Sequence, residues 1–122
     1  MTTQEVADNL VTWCREGNYQ RCYEELYSPN IVSIEPEGGA FPRCEGMEAV
    51  QEKGQWWEET FEVHGGEVSD PIVADNWFTV KFDMDTTHKP SGHRVKSAEL
   101  GVYRVQDGKI VSEQFFFDMA MP

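Results

Sequence analysis

The 122-residue chain has 22 acidic against 10 basic side chains, a formal charge of −12. Nucleic acid and anionic membrane surfaces both demand a basic face, so this balance argues against either as a partner. The length reads as one domain over residues 1–122, and aromatics at 12% of the chain, with four Trp and seven Phe, supply a bulky core.

Cys14, Cys22 and Cys44 are an odd number without C-x-x-C spacing, which fits reduced thiols in a cytoplasmic protein. The first residues lack the basic-then-apolar pattern of a signal peptide, and no apolar run reaches membrane-spanning length.

In chain order, Thr2 and Glu5 stand at capping-box spacing. Val6, Leu10, Trp13 and Cys14 follow at helical intervals, predicting a first amphipathic helix that Gly17-Asn18 ends. A second helix puts Cys22, Tyr23, Leu26 and Tyr27 on one face and stops at Ser28-Pro29-Asn30. Ile31 to Ile34 reads as a short strand, followed by an irregular segment through Cys44. A third helix begins after Gly46, carries Met47, Val50, Trp57 and Phe61 on its apolar face, and ends at His64-Gly65-Gly66. Gly54 lies in that face at a cost of about 1 kcal/mol relative to Ala, which marks a close approach by another element or a ligand.

The remainder is strand-like. Glu67 to Ala74 is interrupted by Pro71, and Asp75-Asn76 makes a turn. From Trp77 to Asp85, Phe78, Val80, Phe82 and Met84 alternate with Thr79, Lys81, Asp83 and Asp85. Thr86 to Gly92 reads as a loop, and His93 opens the strand entering a hairpin around Asp107-Gly108. A two-residue loop sets Glu99 opposite Phe116. A three-residue loop, Gln106-Asp107-Gly108, sets Glu99 opposite Phe115 and Gly101 opposite Glu113, and is the expected one. Helices first and antiparallel strands after predict an α+β domain: three N-terminal helices packed on a strongly curved, mostly antiparallel sheet, a cone with a concave pocket.

This order resembles the nuclear transport factor 2-like superfamily, and within it the SnoaL-like group. The likeness is carried by Arg15-Glu16-Gly17-Asn18, Leu26-Tyr27-Ser28-Pro29-Asn30, Gly46-Met47-Glu48-Ala49-Val50 and Asp107-Gly108-Lys109-Ile110 leading to Phe116-Phe117-Asp118. It implies a cone whose concave face carries Phe78, Val80, Phe82, Met84, Glu99, Gly101, Tyr103, Glu113, Phe115 and Phe117. Ala98, Leu100, Val102, Ile110 and Phe116 would face outward, too apolar for water, and be covered in a homodimer. Where steroid isomerases of this fold place a Tyr and two Asp, this chain has Leu10, Glu35 and Gly101. Where limonene-type epoxide hydrolases place an Arg, an Asp and a second Asp, it has Phe82, Met84 and Phe115. Neither established catalytic set is present, and the superfold itself does not fix a function.

The candidate catalytic residues are therefore Glu99, Glu113 and Glu35. In the expected register Glu99 and Glu113 are diagonal neighbours about 6 Å apart, repelling by roughly 2.8 kcal/mol at an effective dielectric near ~20. One of them would stay protonated near neutral pH and serve as a general acid/base, unless both reach solvent or pair with a cation. Tyr103 is a hydrogen-bond donor to a ligand or plain core, and Trp57 and Phe61 close the pocket from the helical side or simply pack. His64, His88 and His93 lack metal-ligand spacing, so no metal or other cofactor is expected. Two readings follow: a cofactor-independent, isomerase- or cyclase-like enzyme for a small apolar molecule with an enolisable carbonyl, or a non-catalytic dimeric binding or interaction module.

Overall fold

The computed structural model describes residues 1–118. Three helices, α1 (Thr3–Arg15), α2 (Tyr19–Leu26) and α3 (Met47–Thr60), pack on a seven-stranded curved sheet. The strands are β1 (Tyr27–Ile34), β2 (Arg43–Glu45), β3 (Phe61–Val68), β4 (Ile72–Ala74), β5 (Trp77–His88), β6 (His93–Gln106) and β7 (Lys109–Phe116). Their order is β2-β1-β7-β6-β5-β3, with β4 also on β5; β1 and β7 are parallel and the other pairs antiparallel. This is the expected α+β cone. Among the described residues no helix is long and apolar enough to cross a membrane.

Local chemistry explains the helix starts. Thr2 accepts from the Glu5 amide at 3.1 Å while Glu5 accepts from the Thr2 amide at 2.9 Å, so two orphan donors of α1 are satisfied reciprocally. Asn18 makes no side-chain cap to α2. A Cβ on Gly54 would lie 2.8 Å from the Tyr23 hydroxyl, so the glycine in the apolar face of α3 is where α2 approaches.

Several boundaries differ from the sequence reading, each time because strand pairing outcompetes local signals. Tyr27 and the Ser28-Pro29-Asn30 segment begin β1 rather than finishing α2. Arg43 to Glu45, within the stretch read as irregular, pairs with β1 as β2. The segment from Phe61 through Gly65-Gly66, read as helix end, is β3, held on β5 with a register shift between Val63 and Gly65. β5 runs on to His88, three residues past Asp85, because β6 offers partners as far as His93.

The hairpin of β6 and β7 needs the most important correction. Its loop is the two-residue Asp107-Gly108, both at positive φ (52° and 75°), joining paired Gln106 and Lys109. Such a loop by itself turns Glu99 and Phe115 to opposite faces. A bulge restores the parity: Val105 pairs with Ile110 but Arg104 with Ser112, leaving Val111 as the extra residue. Odd-numbered residues of both strands beyond the bulge therefore share the concave face, but the register is Gly101 opposite Phe115 and Tyr103 opposite Glu113. Ile110 precedes the bulge and is fully buried in the core, not outward as expected.

The core lies between the helices and the concave face. Val6, Leu10, Val11 and Trp13 of α1, Leu26, Ile31 and Val50 meet Phe78, Val80, Tyr103 and Val105. Phe78 and Tyr103 stack at 4.7 Å with a 10° interplanar angle. Each large side chain buried this fully is worth about 1.5–3 kcal/mol against exposure, so the inner half of the cone is filled with core.

Candidate functional site

Because Phe78, Val80 and Tyr103 pack the inner cone, an opening is left toward its mouth. There an open cleft of about 680 Å³ wraps over the end of the sheet: Glu35, Glu99, Phe115 and Phe117 line its concave side, and the outward-facing Lys81, Leu100 and Phe116 form its outer lip. Of the candidate residues it brings together Glu35, Glu99, Phe115 and Phe117. Phe82 stands behind this wall, half-buried, with its ring 6.5 Å from Phe115. Met84 lies farther along β5 beside a second groove with Gly66 and Ser97. Trp57 and Phe61 do not line the cleft; they stack on each other at 5.4 Å, with His88 5.4 Å from Phe61, in an aromatic cluster of their own.

Glu99 and Glu113 are not the diagonal pair expected from the three-residue loop. Glu113 is opposite Tyr103, four residues along β6 from Glu99, about 13 Å by strand geometry. This register moves the two apart along the sheet, and Glu113 becomes the smallest of the influences on the Glu99 carboxyl.

Glu99 sits on the cleft wall with Phe82 opposite it on β5 and Phe117 beside it on the β7 side. Burial pushes its carboxyl up to about 7, and the charge of Glu35 adds to the effect. Lys53 opposes it, and Glu113 contributes least. Such a group exchanges its proton near neutrality.

Glu113 lies under the cleft, 3% exposed, and accepts a short hydrogen bond from the Tyr27 hydroxyl. Ser33 stands opposite it across the β1–β7 pairing, and its hydroxyl favours the charged carboxylate. Burial raises the Glu113 carboxyl, against the lowering effect of Lys53 and of the two hydroxyls. Burial likewise holds Tyr27 in its neutral form.

The side chain that sequence reasoning passed over is Lys53. From the second turn of α3 its Nζ reaches 2.6 Å from Ser33 Oγ and 2.6 Å from Glu35 Oε2, and lies 5.3 Å from the centroid of the Phe115 ring. One polar chain thus runs from Glu35 at the mouth through Lys53 and Ser33 to Glu113 and Tyr27. Among the described residues no buried side-chain nitrogen or oxygen lacks a partner. Two signals were available: Lys53 is three residues after Val50 in the apolar phase of α3, and Ser33 and Glu35 continue the inward alternation from Ile31.

The other polar candidates sit elsewhere. His64 bonds Thr87 at 2.6 Å and His88 bonds Ser91 at 2.8 Å, both on the surface. Cys14, Cys22 and Cys44 are free thiols. The Cys14 thiol is held up by its hydrogen bond with Cys22 and by burial, the opposite of an activated nucleophile. Asp83 and Asp85 face outward and pair with Lys81 at 3.5 Å and Arg94 at 2.9 Å.

Comparison with known proteins places these observations. The profile of the SnoaL-like domain matches residues 1–117. A Mesorhizobium loti protein, described as a candidate SnoaL-like polyketide cyclase, is 37% identical and superimposes with a TM-score of 0.92, over 96% of this chain and all of that one. A Xanthomonas campestris protein of unknown function with a cystatin-like fold shares 22% identity, covering 98% and 92% of the two chains at a TM-score of 0.79. A candidate polyketide cyclase from Pseudomonas putida shares 13% identity, covering 98% and 93% at 0.75; these last two likenesses speak for the fold alone. No curated protein matches the sequence.

Proposed function

Since the chain belongs to the SnoaL-like domain family, we propose that its cleft takes a small, largely apolar molecule with an enolisable carbonyl and that Glu99 carries a proton to and from that molecule. The observation that carries this reading is a carboxyl set in an aromatic wall of the cleft and pushed up to about 7. A group so placed is populated in both protonation states at neutral pH, which is what a general base that must return its proton requires. Phe115 and Phe117 supply apolar surface for the body of the ligand. The reaction is isomerase- or cyclase-like and runs without a cofactor: a C–H bond adjacent to the carbonyl breaks, its proton goes to Glu99, and the same group reprotonates a carbon or oxygen of the product. Glu35, paired with Lys53, sets the potential Glu99 experiences rather than taking the proton.

The test needs no knowledge of the natural substrate. The protein should accelerate deuterium uptake at the α-carbon of 2-tetralone in D2O, read by proton NMR, and Glu99→Gln should reduce that acceleration at least ~100-fold. No acceleration by the wild type would remove the catalytic reading.

A second reading, a non-catalytic binding module, is favoured by the apolar Phe82, Met84 and Phe115 at positions where relatives resembling this chain carry catalytic groups. Under either reading the outer sheet face associates two copies. Trp77, Leu100 and Phe116, on one face by register, are 45%, 49% and 48% exposed, a patch that a homodimer would cover.

A further inference from the structure

The proton-transfer reading leaves Lys53 without a task, although it is the cation at the centre of the polar chain. An ammonium has three N–H donors, and two are engaged, by Ser33 and by Glu35. Among the described residues the third has no polar partner. The same Nζ lies 5.3 Å from the centroid of the Phe115 ring, and Phe115 and Glu35 both line the cleft, so the ammonium, its side chain 12% exposed, stands directly behind that wall. Ser33 is fully buried on β1, and Glu113 behind it is tied to Tyr27, so the contacts that fix Nζ rest on the core rather than on a loop.

Resting on the proposed proton transfer, the geometry points to Lys53 as a further catalytic residue. Its third N–H donates to the substrate's carbonyl oxygen and stabilises the charge that oxygen acquires as it becomes an enolate. In the step, the α C–H electron pair moves into the C–C bond and the carbonyl π pair onto oxygen, while the proton goes to the Glu99 carboxylate. No charge is created: the negative charge leaves Glu99 and appears on oxygen beside the ammonium. A preorganised cation in a partly dry site favours that transfer because nothing must reorganise when the charge moves. Ser33 is the positioning residue, holding Nζ in place. The substrate class follows: the reactive oxygen is a ketone, aldehyde or ester carbonyl that enolises, bound on an aromatic wall.

The test uses two aromatic probes of the same shape. 4-Nitrophenol mimics the enolate when ionised and changes absorbance as it does so, and 4-nitroanisole cannot ionise. With the wild-type protein both bind, and the bound phenol ionises at a pH at least about one unit below its value in water, a tenfold shift toward the anion. Lys53→Met binds the anisole unchanged and leaves the bound phenol ionising at or above its value in water. Lys53→Arg keeps most of the shift, and Ser33→Ala gives an intermediate one. If the wild type binds both probes with the phenol's ionisation unshifted, the role of Lys53 is overturned while the Glu99 reading stands. If the wild type binds neither, the cleft reading falls and this inference falls with it. Since the deciding measurement is on the wild type, a variant that fails to fold does not protect the proposal.

Discussion

Replacing Glu99 by Gln keeps the shape of the side chain and removes its titration, so the pH dependence of the difference in stability isolates one carboxyl. Burial moves that carboxyl from the usual 4.5 to about 7. The folded protein therefore binds this proton more tightly than the unfolded chain does, and between those pH values it holds more of it. Stability contributed by the neutral form is complete below about 4.5 and is lost as pH rises through about 7. A difference of about 2.5 pH units is worth roughly 3 kcal/mol at about 1.4 kcal/mol per unit. Urea denaturation of wild type and Glu99→Gln from pH 4 to pH 8.5 should give equal stabilities at the acid end and a variant more stable by roughly 3 kcal/mol at the alkaline end. Glu113 titrates upward in both proteins and largely cancels in the difference. A flat difference curve, or a wild type gaining on the variant as pH rises, would refute the environment assigned to Glu99.

Glu35→Gln removes the charge that seconds burial in raising Glu99 and also releases Lys53 from its ion pair, so the Glu99 carboxyl should move down toward its usual range in a carbon-13 NMR titration. Tyr27→Phe removes a donor from a buried carboxyl and should cost about 1–3 kcal/mol in denaturation, with the Glu113 carboxyl rising further. Gly101→Ala places a methyl group 2.9 Å from the Tyr103 ring and 3.1 Å from the Phe115 ring, overpacking that should cost about 1–3 kcal/mol of stability. Leu100→Lys with Phe116→Glu should convert a dimer to a monomer in sedimentation velocity without changing the circular dichroism; a wild type already monomeric at high concentration would contradict the proposed use of the outer face.

The fold was legible because the helical spacing of α1, the alternation of β5 and the Asp107-Gly108 turn are strong local signals that agree with one another. The face assignment of the final hairpin was reached with the wrong loop: a bulge at Val111 does the work assigned to a third loop residue. Bulges arise from how a strand fits its partner, and no residue type announces them. That difference separated Glu99 from Glu113 and dissolved the expected carboxylate pair. Lys53 escaped because one lysine in an otherwise apolar helix phase reads as a solvated side chain until Ser33 and Glu35 are brought across from β1. That contact joins elements 18 and 20 residues apart, and only the tertiary fold creates it. For Tyr103 the core alternative held, but the core filling of Phe78 and Val80 was invisible, since period-two alternation tells which face a residue is on and not how deep that face is packed.

Proton transfer in the cleft requires Glu99 to exchange its proton near neutral pH. Carbon-13 NMR of the glutamate side-chain carboxyls, with Glu99→Gln to assign the resonance, measures this directly. A Glu99 carboxyl titrating at about 7 is the predicted result, and one titrating near its usual 4.5 would contradict it.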